Sequence, residues 1–232
     1  FYDLNMGCPV AKVVKKGEGC ALMRDTAQAE AIVTAAVEAS DKPVTVKFRS
    51  GWSEPDINAL EFGRAMEAAG ASALCLHPRT RGQLYRGRAD RDLIGHLVES
   101  VSIPVLGSGD VFTPEDAREM FEDEGVWAVM VARGAKGDPW IFERIAAHLA
   151  GEPLPETPSI KELFSTIRDH ADLAIDLFGE RVAVPRMRKH IAWYVHGLPE
   201  AAEMRREASR ITIAAELYMT LREFEERVAG CR

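Results

Sequence analysis

The sequence predicts an α/β protein: a partial (β/α)8 TIM barrel, made of strands four to eight, followed by a small C-terminal helical domain. Strand-like and helical apolar periods alternate five times at roughly 30-residue spacing, which implies a parallel sheet with helices packed outside it. Polar residues gather just after successive strands, as they do at the carboxyl rim of a barrel. From Ile160 onward the apolar spacing is helical throughout. Residues 1–150 are therefore assigned to the barrel, 151–158 to a linker and 159–232 to the helical domain.

Each element has a local cause. The chain opens on an apolar strand that runs into Asp3-Leu4-Asn5-Met6-Gly7-Cys8-Pro9, where Gly and Pro force a turn that displays an Asn and a thiol. Asp25 and Gln28 resemble a capping box ahead of an Ala-rich helix through Ala39, which Asp41-Lys42-Pro43 ends. Val44–Phe48 reads as a strand. Ser53 and Pro55 predict a second helix running to Ala69 and closed by Gly70, and Ala73–Leu76 a short buried strand. Asp90–Ser100 follows as a helix and Ile103–Leu106 as a strand. Thr113-Pro114-Glu115-Asp116 opens the next helix, Trp127–Val131 is the last strand, and Pro139–Leu149 closes the series. The prolines and glycine of residues 151–158 sustain neither helix nor ladder. Breaks at Gly179 and Gly197-Leu198-Pro199 divide the tail into three or four helices.

Alternation alone leaves two architectures open. A doubly wound five-stranded sheet concentrates its ligand groups at one switch point, whereas a barrel distributes them around its rim. Asn5 and Cys8, Lys47 and Arg49, His77 and Arg79, Ser108 and Asp110, and Arg133 follow five different strands, which favours the barrel. Phe1 is not a methionine and the strand is under way at once, so three preceding units are expected to lie outside this chain.

Composition narrows the class. Apolar residues make up 47% of the 232, enough for a substantial core, and no apolar run approaches the about 20 residues of a membrane span. The first residues lack a signal-peptide pattern, so a cytoplasmic monomer with no membrane or metal partner is expected. Cys8, Cys20, Cys75 and Cys231 form no CxxC pair and no zinc-like spacing, and Cys8 reads as a free thiol. Residues 159–232 carry 12 Lys+Arg and 12 Asp+Glu, which leaves 17 against 24 in residues 1–158, so the whole formal charge of −7 falls on the barrel part. The helical part is comparatively basic, which suits a polyanionic partner.

Several groups demand chemistry. Leu106-Gly107-Ser108-Gly109-Asp110 and Val131-Ala132-Arg133-Gly134-Ala135 each end a strand in glycine-containing turns, whose backbone N–H groups, with Arg133, form an anion cradle. Barrels bind phosphate after strands seven and eight, where these loops would fall. Lys47 lies inside an apolar strand, where an unpartnered charge costs several kcal/mol, so a ligand with partial negative charge is expected beside it. His77 shares that rim with Lys47 and Cys8, and a titratable residue in such company is a functional candidate.

These residues together resemble a known family. Asp-Leu-Asn-Met-Gly-Cys-Pro at 3–9, with Val13, Lys16-Gly17 and Gly19-Cys20-Ala21-Leu22-Met23, resembles the signature of the tRNA-dihydrouridine synthases. Val46–Trp52, His77-Pro78-Arg79-Thr80-Arg81, Gly107–Asp110, Ala132–Ala135 and Pro139–Phe142 match in family order, and Arg186–Tyr194 is similar to the tail of the bacterial B-type branch. The resemblance implies an FMN enzyme, re-reduced by NADPH, that delivers hydride to C6 of a tRNA uridine while Cys8 protonates C5. Lys47 and His77 would contact the flavin ring system. Ser108, Gly109 and Asp110, with Ala132 and Arg133, would hold the ribityl phosphate. Asn5 would hydrogen-bond the uracil edge and Arg79 would contact the substrate. Arg186, Arg188 and Lys189, with Arg205 and Arg206, would meet tRNA phosphates, and the target base would have to leave its stack. The family's Pro-Met-Ala flavin contact and a Gln would precede Phe1, so weak FMN binding by this chain alone is expected. Two other readings share these residues: an FMN barrel oxidoreductase for a small molecule, which tRNA binding would separate, and a non-catalytic RNA-binding fragment, which RNA binding without flavin would favour.

Overall fold

Five strands form one wholly parallel sheet: β1 (Tyr2–Asn5), β2 (Val44–Arg49), β3 (Ala73–His77), β4 (Val105–Gly107) and β5 (Ala128–Val129), in the order β1-β2-β3-β4-β5. Strictly sequential order contains no switch point, which excludes the doubly wound arrangement and defines a partial (β/α)8 barrel. This computed structural model describes residues 1–230. They fall into two units, Phe1–Gly134 with His148–Gly151, and Ala135–Ala147 with the chain from Glu152 onward.

The register sorts side chains by face, because neighbours in parallel strands point the same way and successive residues alternate. Leu4, Val46, Leu74 and Val105 align across four strands. Val46 and Leu74 are fully buried, and on the same face Phe48 packs at 5.2 Å ring to ring on Phe62 of the third helix. The opposite face carries the layer Asn5, Lys47, Cys75, Leu106, Ala128 and, one layer toward the carboxyl ends, the pair Arg49 and His77.

The connecting helices are α1 (Ala11–Val14), α2 (Thr26–Ala39), α3 (Ala59–Ala68), α4 (Asp92–Ser100), α5 (Pro114–Glu122) and α6 (Ile141–Ala150). Asp25 caps α2 by accepting from Gln28 N at 3.1 Å, and Thr113 with Asp116 forms a complete capping box at α5. The predicted helix from Ser53 to Ala69 is divided. Glu54–Asp56 makes a single 3-10 turn, Gly51 then pairs antiparallel with Ile57, and α3 begins only at Ala59. That pairing brings backbone against backbone: a Cβ on Gly51 would lie 2.1 Å from the Asp56 carbonyl oxygen. Ile103-Pro104 does not join β4, and the last strand shrinks to Ala128–Val129, prolonged by one bond from Met130 N to Gly107 O.

The helical unit contains α7 (Ile160–Phe178), α8 (Glu180–Tyr194), α9 (Ala201–Ala208) and α10 (Ala214–Ala229). Ser159 and Glu162 form the capping box of α7. Phe164, Met187, Ile191, Met204, Leu221 and Phe224 lie at the centre of its core. The break at Ser209–Ile213 carries neither Gly nor Pro, which is why the sequence did not announce it. Among the described residues no helix is long and apolar enough to cross a membrane.

Gly51→Ala should destabilise the protein by about 1–3 kcal/mol, because the new methyl meets backbone that cannot step aside. A urea titration of the two proteins measures it, and equal midpoints would show that the Gly51 loop yields freely.

Candidate active site at the carboxyl rim

Every strand ends on the same rim, and the loops that leave it are tied together by buried guanidinium groups. Arg49, the last residue of β2, is buried, and its Nε donates to Gly7 O at 2.9 Å while its NH1 donates to Thr80 O and Leu84 O at 3.1 and 3.0 Å. One side chain thus fixes the peptide that precedes Cys8 against the loop after β3. Cys8 is half-buried, and its carbonyl accepts from Cys20 N at 3.1 Å. Cys8, Cys20 and Cys75 are free thiols; Cys231 lies outside the described residues. Burial pushes the thiols of Cys20 and Cys75 up to about 11, which keeps both protonated and unreactive. Asn5 is exposed beside this turn, and its Oδ1 accepts from Gly7 N at 3.1 Å, leaving the amide Nδ2 without an acceptor among the described residues.

Lys47 stands on the open face between Asn5 and Cys75, half-buried and without an ion pair among the described residues. His77 is one layer up, paired with Arg49. Burial, reinforced by Arg49, Lys47, Arg79 and Arg133, pulls its imidazole down to about 3, so it is neutral at physiological pH.

The loop after β4 is held by a second network. Arg79 is 1% exposed; its NH1 and NH2 donate to both oxygens of Asp110 at 2.9 and 2.6 Å, its NH2 also to Gly87 O at 2.6 Å, and its Nε to Arg86 O at 3.3 Å. Asp110 also accepts from Arg133 NH2 at 2.6 Å and Ala89 N at 2.8 Å. Burial raises the Asp110 carboxyl, but the hydrogen bonds from Arg79 and Ala89 and the two guanidinium charges outweigh it and hold the group below its ordinary value. The chain turns sharply here, with Gly109 at φ 149° and Asp110 left-handed at φ 52°. A Cβ on Gly109 would lie 2.9 Å from Ala89 Cβ and 3.5 Å from the His77 ring.

The expected anion cradle is corrected in its detail. Ser108 N is already bonded to Leu76 O at 3.0 Å, so Ser108 can offer only its hydroxyl. The Asp110 carboxylate faces arginines and would repel an anion, so Asp110 can offer only its N–H. The N–H groups of Gly109, Asp110 and Ala132 have no acceptor among the described residues, and Arg133 is partly exposed. Three free N–H groups beside a guanidinium fit a phosphate group. Arg79 has its donors spent on Asp110 and the loop, so it positions the rim and does not reach a substrate.

Tyr85, which no motif singles out, is an exposed ring 4.9 Å from the Arg133 guanidinium, 5.8 Å from that of Arg49 and 6.2 Å from His77. A cavity of about 600 Å³ opens beside it, lined among others by Arg88, Arg91, Phe112 and Arg133; Cys8, Lys47 and His77 are not part of its wall.

In the helical unit the five expected phosphate contacts diverge, Arg205 and Arg206 lying exposed on α9. Arg188 spends its Nε and NH2 on Ile211 O, at 2.9 and 2.5 Å, and so braces the α9–α10 connection. Arg186 lies exposed over Phe178 at 4.6 Å, and Lys189 exposed over Trp193 at 5.7 Å. His170 and His190 pack edge to face at 4.7 Å, and burial, then His170 and Lys189, pulls His190 down to about 4.

Sequential parallel strands with a thiol, a lysine, a neutral imidazole and three free N–H groups beside a guanidinium on one rim define a partial (β/α)8 barrel protein whose polar groups gather at the carboxyl ends of its strands. A family profile described as dihydrouridine synthase matches residues 2–229, and the chain belongs to that family. It is 41% identical over 226 residues to the tRNA-dihydrouridine synthase B of Pseudomonas aeruginosa, covering 97% of this chain and 68% of that protein. It is 43% identical to a probable tRNA-dihydrouridine synthase of Rickettsia conorii, over 88% of this chain and 62% of the relative, and 42% identical to one of Mycobacterium tuberculosis, over 93% and 56%. The chain thus spans between 56% and 68% of the length of these relatives.

Two predictions follow from the networks. Asp110→Asn should cost about 3 kcal/mol at pH 7, because it leaves the buried Arg79 charge uncompensated. Since the folded carboxyl is depressed, this difference should be present above about pH 3.9, the ordinary Asp value, and vanish as the pH falls below it. For His77 the unfolded state binds the proton first, so the protein should lose stability as pH falls from the ordinary value of about 6.5 toward 3. His77→Gln removes that loss; urea midpoints of both proteins at pH 7.5 and 5 that shift in parallel would contradict it.

Proposed function

We propose that this chain reduces the C5–C6 double bond of a uridine in tRNA, with FMN as its cofactor and NADPH as the electron source. The observation that carries the reading is the convergence of Cys8, Lys47, His77 and the free N–H groups around Gly109 on one rim, in a chain over 40% identical to proteins named tRNA-dihydrouridine synthases. Reduced FMN, when bound, supplies the hydride to C6.

The chain's own residues do the rest. Gly109, Asp110 and Ala132 donate their N–H groups to the phosphate, and Arg133, aimed by Asp110, neutralises its charge. The Lys47 ammonium, which has no carboxylate of its own, meets the electron-rich edge of the ring system. His77, neutral, adds a hydrogen bond and no charge. Asn5 directs its free amide at a uracil carbonyl, which orients the base with C5 toward Cys8. Cys8 Sγ donates its proton to C5 as a general acid and recovers one from solvent. Arg186 and Lys189, both exposed, contact phosphates of the tRNA, and the energy of such contacts offsets the few kcal/mol of unstacking the base.

Cys8→Ala should leave tRNA binding and flavin content at the wild-type level and lower dihydrouridine formation, read by mass spectrometry of digested tRNA, by at least a hundredfold. Retained dihydrouridine formation would remove Cys8 from the role of acid.

A further inference from the structure

Three consecutive rim loops meet at one indole. Arg24 ends the 3-10 turn Gly19–Arg24 that follows the Cys8 loop, Trp52 lies in the loop after β2, and Arg81 in the loop after β3. The Arg24 and Arg81 guanidinium groups lie over the Trp52 ring, at 4.9 and 4.8 Å from its centroid. Backbone bonds fix the frame: Arg81 N to Gly51 O at 2.9 Å and Gly82 N to Trp52 O at 3.1 Å, with Asn58 Nδ2 holding Met23 O at 2.8 Å.

Neither cation has a carboxylate partner among the described residues, whereas Arg79, Arg91 and Arg133 on the same rim are all paired. Arg81 Nε is in addition buried with no acceptor. Arg24 is exposed and keeps its hydration, but Arg81 is half-buried with an unsatisfied Nε, a cost that an anion at the patch would offset. The patch lacks the enclosing N–H groups that a free phosphate would require, and which the Gly109 loop has. Open guanidiniums beside an aromatic ring suit a phosphate in a chain, with a neighbouring base against the ring.

We infer that Arg24, Trp52 and Arg81 form a contact on the barrel rim for the RNA backbone beside the extruded nucleotide. The patch is joined to the reacting centre through the Cys20 N to Cys8 O bond at 3.1 Å, four residues from Arg24 in the same turn. Strand polarity puts it on the rim that the substrate must approach. The inference rests on the tRNA reading above and adds where the strand is gripped.

The test is binding of an unmodified tRNA transcript to the full chain by fluorescence anisotropy across a salt series. Arg24→Gln/Arg81→Gln should raise Kd at least tenfold at 150 mM salt and flatten the dependence of log K on log salt by roughly 1.5, the share of two phosphate contacts. Arg24→Lys/Arg81→Lys, which keeps the charge, should restore most of the slope. Should the double Gln variant fail to fold, Arg24→Glu, at an exposed position, carries the same reading with a loss of at least fivefold. A folded variant with the wild-type Kd and slope would overturn the patch while leaving the tRNA reading standing. Wild-type protein that binds no tRNA would overturn both.

Discussion

The buried Arg79–Asp110 pair organises the rim. Arg79 is a full charge at 1% exposure, tolerable only because its planar fork meets both carboxylate oxygens and two carbonyls at once. A lysine, one point charge with no fork, could not make these four contacts. Satisfying Arg79 still leaves Asp110 with lone pairs for Ala89 N and Arg133, so the loops after β3, β4 and β5 are bound into one piece. The left-handed backbone at Asp110 is a cost this network outweighs. The consequence is preorganisation: the backbone that carries the free N–H groups of Gly109 and Asp110 is fixed by this network alone.

Arg49 does for the thiol loop what Arg79 does for the phosphate-type loop. Its three carbonyl contacts reach the Gly7 peptide on one side and the Thr80–Leu84 segment on the other. Parallel strands make this division possible, since every carboxyl end faces the same way and neighbouring loops can share a guanidinium. Two strand positions below the loops, the same alternation sets Lys47 on the open face with no counter-charge among the described residues, while Val46 and Phe48 beside it are wholly buried on the other.

Much of this was legible in the sequence because it depends on local rules. The strand and helix series, the helix start at Thr113, the Gly70 closure and the rim location of Cys8, Lys47, His77 and Arg133 follow from periodicity and turn residues. What was not legible depends on partners distant in sequence. Ser53 and Pro55 carry a genuine helix-start signal, but the Gly51–Ile57 pairing and the Asn58 bond to Met23 delay α3 to Ala59. Arg79 and Arg188 read as free cations because the sequence does not reveal that Asp110, 31 residues on, and Ile211 O, 23 residues on, take up their donors. The role of Arg49 as a tie, and the exposed Tyr85 between two arginines, have no local signature at all.

The same distinction between local and summed charge decides how an acidic barrel part can present an anion site. Excess carboxylates contribute through solvent, where the field of a single charge decays over about 8 Å at physiological ionic strength. Three of those near the rim are neutralised at contact distance: Asp110 by Arg79 and Arg133, Asp116 and Glu119 by Arg91. Lys47, Arg24, Arg81 and the free N–H groups of the Gly109 turn are among the rim groups that have no anionic partner among the described residues. A net negative charge repels a polyanion at long range, so local unpaired cations decide where one is held. The formal −7 is thus no argument against an anionic ligand; it restricts where on the barrel such a ligand can be held.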